Sequence, residues 1–303
     1  MGTGHVHATP TGQYRHRLVA VLVITVVVVL VQIGGGLVSG SLALLADAGH
    51  MATDAAGVLI ALMATWLASR PATDARTFGM QRAEILAALA NAVLLGAVAV
   101  WVLVQALGRW SDPPAIDTGL MLSVAGVGAA ANAISLLLLR EGQRHSLNVR
   151  GAYLEVLGDL LGSLAVIAAG IVIVTTGNDR ADVIASVVIG VMILPRVWGL
   201  LRDVVDVLLE ATPRGVDLDL VRDHMRGVPG VVGVHDLHAW TITSGVPVLS
   251  AHVVVDDDCI ALGRSGEVLD MLAECLAGHF DVDHCTLQLE PVGHQDHEAS
   301  HHA

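Results

Sequence analysis

Two pairs of residues set the chemical question. His50 and Asp54 stand four positions apart, and so do Glu155 and Asp159. On a helix that spacing puts both members of a pair on one face, about one turn apart. Brought together, the pairs would offer one imidazole nitrogen and three carboxylates to a single cation, a donor set that suits tetrahedral zinc. The second pair follows the first by 105 positions, and a glycine, Gly57 or Gly162, comes three residues after each Asp. Ion sites at the interface of repeated elements recur among transporters. One buried His–Asp pair alone would be an ordinary structural hydrogen bond. Two pairs with surplus negative charge require protons, water or a cation. Asp47, near the outer end of the segment that carries His50, reads either as a solvated carboxylate or as a further site group.

The elements that must hold these residues are apolar and long. No charged side chain occurs from Leu18 to Ala46, from Ile85 to Gly108, or from Thr118 to Leu139. Each run exceeds the roughly 20 residues with which a helix crosses a bilayer. We read six spans, at 18–38, 42–68, 84–107, 118–139, 151–176 and 183–209. The uncharged core of the sixth ends at Pro195 and Arg196, so its last part is expected to project into water. Ionisable groups inside a span are expensive and mark a functional pathway by default. That applies to both pairs. Asn91 and Asn132, in spans three and four, read as glue between helices. The Gly34-Gly35-Gly36 run reads as a close helix approach or the end of span one.

Arginine placement orients the chain. All sixteen basic residues are arginine. Arg15 and Arg17 precede span one, Arg70, Arg76 and Arg82 separate spans two and three, and Arg140, Arg144 and Arg150 separate four and five. The opposite loops hold Arg109 and Arg180. By the positive-inside rule both termini are cytosolic, and a multi-pass protein of the inner (plasma) membrane is expected. The net charge of −13 carries no argument for nucleic-acid binding, and none is expected.

After Thr212-Pro213 the chain changes character. Val216–Arg226 reads as a helix, 231–243 and 248–255 as strands joined at Ser244-Gly245, Glu267–Leu276 as a second helix and Cys285–Leu289 as a third strand. The order αββαβ suits a small α+β layer, ferredoxin-like without its first strand. The resulting division is a His-containing N-terminal tail (1–16), a six-helix membrane domain (17–211), a cytosolic domain (212–291) and a His-rich C-terminal tail (292–303). Both tails read as disordered. His5, His7 and His16, with His294, His297, His301 and His302, are open either to loose metal capture or to solvation alone. Three cysteines, Cys259, Cys275 and Cys285, form no even disulfide framework and suit a reducing cytosol. His235, His238, His252, His284, Cys285 and Glu290 are metal-capable. Strand alternation predicts His235 and His238 on opposite faces, hence not in one local site.

These segments resemble the cation diffusion facilitator family. Ser41-Leu42-Ala43-Leu44-Leu45-Ala46-Asp47-Ala48-Gly49-His50-Met51-Ala52-Thr53-Asp54 is similar to its second-helix signature. Phe78-Gly79 with Arg82-Ala83-Glu84 resembles the start of its third helix, and Leu157-Gly158-Asp159-Leu160-Leu161-Gly162-Ser163 its fifth. His235-Asp236-Leu237-His238-Ala239-Trp240 and Thr286-Leu287-Gln288-Leu289-Glu290 resemble its cytosolic domain. The similarity covers about residues 15–291 and points to the branch that exports zinc, cadmium and cobalt. It implies a homodimer, six helices, a metal-binding cytosolic domain and metal/proton antiport, with Zn²⁺ as cargo and a possible structural or regulatory Zn²⁺ in the cytosol. It also implies that His50, Asp54 and Asp159 are site ligands and that His235 and His252 bind cytosolic metal. Glu155 stands where zinc members usually have histidine, which makes the site harder and adds a charge. Gln288, at the matching place of the third strand, is a poor zinc ligand.

Other classes fit less well. An intramembrane metalloenzyme needs an open coordination position and a separate base, but no His-Glu-x-x-His occurs and the candidate groups are all used as ligands. A membrane metal sensor would leave the intramembrane donors unexplained. Export of cadmium, cobalt, manganese or iron by the same fold is the nearer alternative.

Overall fold

A computed structural model describes residues 15–144, 146–280, 282 and 284–297. The tail histidines His5, His7, His301 and His302 lie outside the described residues. Six helices are long and apolar enough to cross a membrane: α1 (Arg15–Ser39), α2 (Leu42–Ala68), α3 (Ala83–Arg109), α4 (Thr118–Leu139), α5 (Leu147–Thr176) and α6 (Arg180–Leu208). Local chemistry sets several ends. The Asp117 side chain accepts from the Leu120 N–H to open α4, and that of Ser146 accepts from the Val149 N–H to open α5. Gly177 closes α5 in the left-handed conformation, at φ 69°. α6 runs through Pro195 to Leu208, close to the expected extent of 183–209.

The chain divides into two compact units, residues 1–63 with 87–200, and residues 64–86 with 201–303. In the first, α4 packs along both α5 and α1. Many large apolar side chains point outward, among them Leu30, Leu62, Val104, Leu137 and Val174. In water such a surface would be a liability; in hydrocarbon it is solvated. The glycine run of α1 lies inside the helix, and Gly35 and Gly36 meet Val124 and Leu45, so it permits close approach and does not end the span. An aspartate from the last span caps α2. Asp182 of α6 accepts from the backbone N–H of Leu42 at 2.8 Å and of Ala43 at 3.2 Å, and also from the Ser41 hydroxyl.

In the second unit, α7 (Leu218–Arg226), β1 (Val231–Thr241), β2 (Pro247–Val255), a short α8 (Asp257–Ala261), α9 (Ser265–Phe280) and β3 (His284–Pro291) follow in order. The expected αββαβ order therefore holds, with one extra helical turn. β2 is central, antiparallel to β1 and parallel to β3. Val234, Leu237, Leu249, Ala251 and Val253 face Val221, Met225, Leu272 and Leu276 across one sheet face and form the core. Residues 64–86 belong to this unit: Thr243 donates to Glu84 at 2.7 Å, and the rings of Phe78 and His284 meet edge-on.

The expectation for His235 and His238 is overturned. A register shift separates them: His235 pairs with His252, His238 with Ser250, and Asp236 takes a positive φ of 48°. This β-bulge inserts one residue. Val234, Leu237 and Ala239 are buried, so His235 and His238 share the opposite face. Two-residue alternation fails wherever the strand carries an extra residue.

Candidate metal centre

α2 and α5 bring the paired residues of the sequence into one place. Ligand atoms of His50, Asp54 and Asp159 lie within 4.8 Å of one another. His50 Nε2 is 3.7 Å from Asp54 Oδ2, the contact expected of an i,i+4 pair. His50 Nδ1, Asp54 Oδ1 and Asp159 Oδ1 are buried and have no hydrogen-bond partner among the described residues. Asp159 is only 5 % exposed. A buried polar atom without a partner costs about 1–3 kcal/mol. Each of the three clustered residues thus carries one such atom, an arrangement suited to a cation.

The structure does not place Glu155 in that cluster. Its Oε1 accepts from Arg196 Nη2 at 2.9 Å, while Arg196 Nη1 donates to Asp54 Oδ2 at 3.0 Å. Arg196 therefore bridges Asp54 of α2 and Glu155 of α5, two of the four candidates. Arg196, at the end of the uncharged core of span six, reads from sequence alone as water-facing. The signal that finds it is general: a charge inside an apolar helix pairs with another charge. Two cavities flank the site. One of about 390 Å³ is bordered by Asp47, His50, Glu155, Gly162 and Arg196, and one of about 290 Å³ by Met51, Asp54, Glu155 and Asp159.

Asp47 is neither solvated nor part of the ligand cluster. It is 1 % exposed, and its Oδ2 accepts from Gln32 Nε2 at 2.8 Å and from the Ser163 hydroxyl at 3.0 Å. Those bonds tie α1, α2 and α5 together beside the candidate cluster. A Cβ at Gly162 would run into the Asp47 carboxylate, and one at Gly57 would meet Asn91. The two glycines of the internal echo thus each leave room for a polar side chain from another helix.

The cytosolic candidates also converge. His235, His252 and Glu290 present ligand atoms within 4.8 Å of one another. Glu290 Oε2 lies 3.1 Å from His235 Nε2, and Oε1 lies 2.7 Å from His252 Nδ1. The two imidazole centroids are 5.2 Å apart. Gln288 donates to Glu290 Oε1 at 2.8 Å, so it orients the carboxylate. β3 thus supplies its donor two positions beyond Gln288, on the same face. His238 pairs with Asp236 at 3.0 Å. Burial pushes the thiols of Cys275 and Cys285 up, away from the thiolate form that binds metal.

Comparison with known proteins agrees with this anatomy. Residues 18–209 match the cation efflux transmembrane domain, and residues 213–292 match the cation efflux protein cytoplasmic domain. The metal cation efflux system protein CzcD of Cupriavidus metallidurans is 45 % identical over 302 residues, spanning 100 % of this chain and 94 % of that protein. The cadmium, cobalt and zinc/H(+)-K(+) antiporter of Bacillus subtilis is 36 % identical over 298 residues, covering 98 % and 94 %. The zinc transporter ZitB of Escherichia coli is 39 % identical over 295 residues, covering 96 % and 93 %. Matched along both of its parts and nearly end to end with these relatives, the chain belongs to the cation efflux family, the cation diffusion facilitators.

Proposed function

We propose that this chain exports a divalent metal cation, zinc first, from the cytosol across the inner membrane by metal/proton antiport. One observation carries the reading: the donor atoms of His50, Asp54 and Asp159 lie within 4.8 Å of one another, inside helices long enough to span a bilayer. The names of the bacterial relatives, which include zinc, cadmium and cobalt transport, support the same cargo class.

In the proposed cycle the site opens to the cytosol and His50, Asp54 and Asp159 take up metal, with Glu155 available as a fourth donor. Metal binding releases whatever protons these groups hold. Helix movement exposes the site to the other side. There protons neutralise the carboxylates and charge His50, and both changes weaken metal binding. An inward proton gradient then drives export. Both termini lie in the cytosol in this reading. The cytosolic domain pairs two copies of the chain, and metal held by His235, His252 and Glu290 draws them together. Cadmium, cobalt, manganese or iron is the second reading for the cargo, because Glu155 adds a hard carboxylate beside the site.

The test is reconstitution of the full chain in vesicles, with Zn²⁺, Cd²⁺, Co²⁺, Mn²⁺ and Fe²⁺ offered with and without a pH gradient. Zn²⁺ accumulates, faster with the gradient, and Asp54→Ala abolishes it. Uptake that survives Asp159→Ala unchanged would show the ligand set to be wrong. Glu155→His reports whether that carboxylate sets metal choice.

A further inference from the structure

We propose that Arg196 is a tethered competitor of the transported cation: its guanidinium holds Asp54 and Glu155 in the metal-free chain and must give them up as metal binds. This rests on the intramembrane site proposed above and goes beyond it by assigning a role to α6, which supplies no ligand.

The geometry is two-pronged. Separate nitrogens of one guanidinium reach Asp54 Oδ2 at 3.0 Å and Glu155 Oε1 at 2.9 Å. The fixed fork of arginine suits such a bridge, and a lysine ammonium does not reproduce it. All three residues lie well inside their helices, α2 (Leu42–Ala68), α5 (Leu147–Thr176) and α6 (Arg180–Leu208). Inside a spanning segment an arginine needs counter-charge, and the carboxylates need a cation. The pairing satisfies both sides without metal. It also accounts for the absence of Glu155 from the ligand cluster: its carboxylate already has a cation.

Asp54 is the shared group. Its Oδ2 serves both Arg196, at 3.0 Å, and His50, at 3.7 Å, while its Oδ1 is buried without a partner. A metal drawing on Asp54 and Glu155 therefore competes with the guanidinium for the same carboxylates. Release is eased in the same way, because Arg196 stands ready to take the carboxylates back. An exporter must let go of its cargo as well as hold it, and a fixed competing charge lowers affinity without removing a ligand. Arg196 is thus a positioning residue that tunes the site from the neighbouring helix. Pro195 precedes it in the helix interior. The missing N–H at proline loosens the helix at the residue next to the bridge.

The experiment measures Zn²⁺ affinity of the purified full chain by competition with a chromophoric chelator. His235→Ala and His252→Ala are included throughout so that the intramembrane site is what titrates. Arg196→Gln is expected to bind Zn²⁺ about ten- to a hundredfold more tightly, the worth of a charge-assisted hydrogen bond. Arg196→Lys, which keeps the charge and loses the fork, tightens binding by a smaller factor and serves also if the glutamine variant does not fold. Unchanged or weaker binding in the folded variant, whether Gln or Lys, overturns the proposal. A purely structural arginine would give the opposite sign, since damage to the site weakens binding. Asp54→Ala separates this from the parent reading: if it leaves Zn²⁺ binding intact, the site itself is misassigned.

Discussion

The Ser163 hydroxyl donates to Asp47 Oδ2 at 3.0 Å and so locks α5 to α2 beside His50 and Asp159. Ser163 is one turn beyond Asp159, and Asp47 is nearly one turn before His50. Gln32 of α1 reaches the same oxygen at 2.8 Å. We expect Asp47→Ala to leave both donors unsatisfied in a buried place and to destabilise the protein by about 1–3 kcal/mol. Asp47→Asn, which keeps an acceptor, loses less. Thermal unfolding in detergent measures this; equal midpoints for the Ala variant and the parent would remove the brace.

Gly162 leaves room for that carboxylate. Gly162→Ala places a methyl against Asp47 Oδ1. Overpacking at a close helix contact costs about 1–3 kcal/mol, and here it pushes α2 and α5 apart at the candidate site. The expected outcome is a lower unfolding midpoint together with weaker Zn²⁺ binding. Gly158→Ala, whose Cβ would meet nothing within 4 Å, is the control and leaves the midpoint near that of the parent.

Asp182 caps the N-terminus of α2 from another helix. Asp182→Ala removes the acceptor for the Leu42 and Ala43 N–H groups. Loss of a cap costs about 0.5–2 kcal/mol. Hydrogen exchange should show faster opening of the first turn of α2, while the sheet of the cytosolic domain keeps its protection. Protection unchanged at residues 42–44 would show the cap to be dispensable.

Glu290 joins two imidazoles on the sheet. Glu290→Gln keeps the shape of the side chain and removes the charge. We expect Zn²⁺ affinity at the cytosolic triad to fall by about tenfold or more. Gln288→Ala removes only the bond that orients the carboxylate, for which about tenfold is the upper expectation. Titration of the full chain in an Asp54→Ala background isolates this site. Equal affinities for Glu290→Gln and the parent would exclude Glu290 as a donor.

The parts legible in the sequence are those governed by length and period. Apolar runs gave α2 and α4 their full extents, and the i,i+4 rule placed His50 beside Asp54 and, with α5, beside Asp159. Illegible were the partners that arrive from distant elements. Nothing local to Asp47 announces Gln32 or Ser163, and nothing near Leu42 announces Asp182. Arg196 was visible as a charge, but at the end of an apolar run a charge reads as an exit to water. Only the packing of α6 shows it facing Asp54 and Glu155. The His235–His238 relation failed for a different reason: the backbone at Asp236, at φ 48°, inserts a residue that alternation cannot foresee. Gln288 read as a weak point of the cytosolic set because nothing in the sequence joins Glu290, itself metal-capable, to His235 and His252.

The cap on α2 also orders events in time. Leu42 emerges from the ribosome long before its acceptor Asp182, from which 140 positions separate it. Until the sixth span is inserted, the Leu42 and Ala43 N–H groups lack this acceptor, and the local cap is the Ser41 hydroxyl, which accepts from the Leu44 N–H at 3.1 Å. Arg196, which bridges both halves of the cargo site, is later still. The candidate site is therefore completed by its final helix, and a chain halted after five spans carries all four intramembrane candidates, His50, Asp54, Glu155 and Asp159, before their counter-charge at Arg196 is in place.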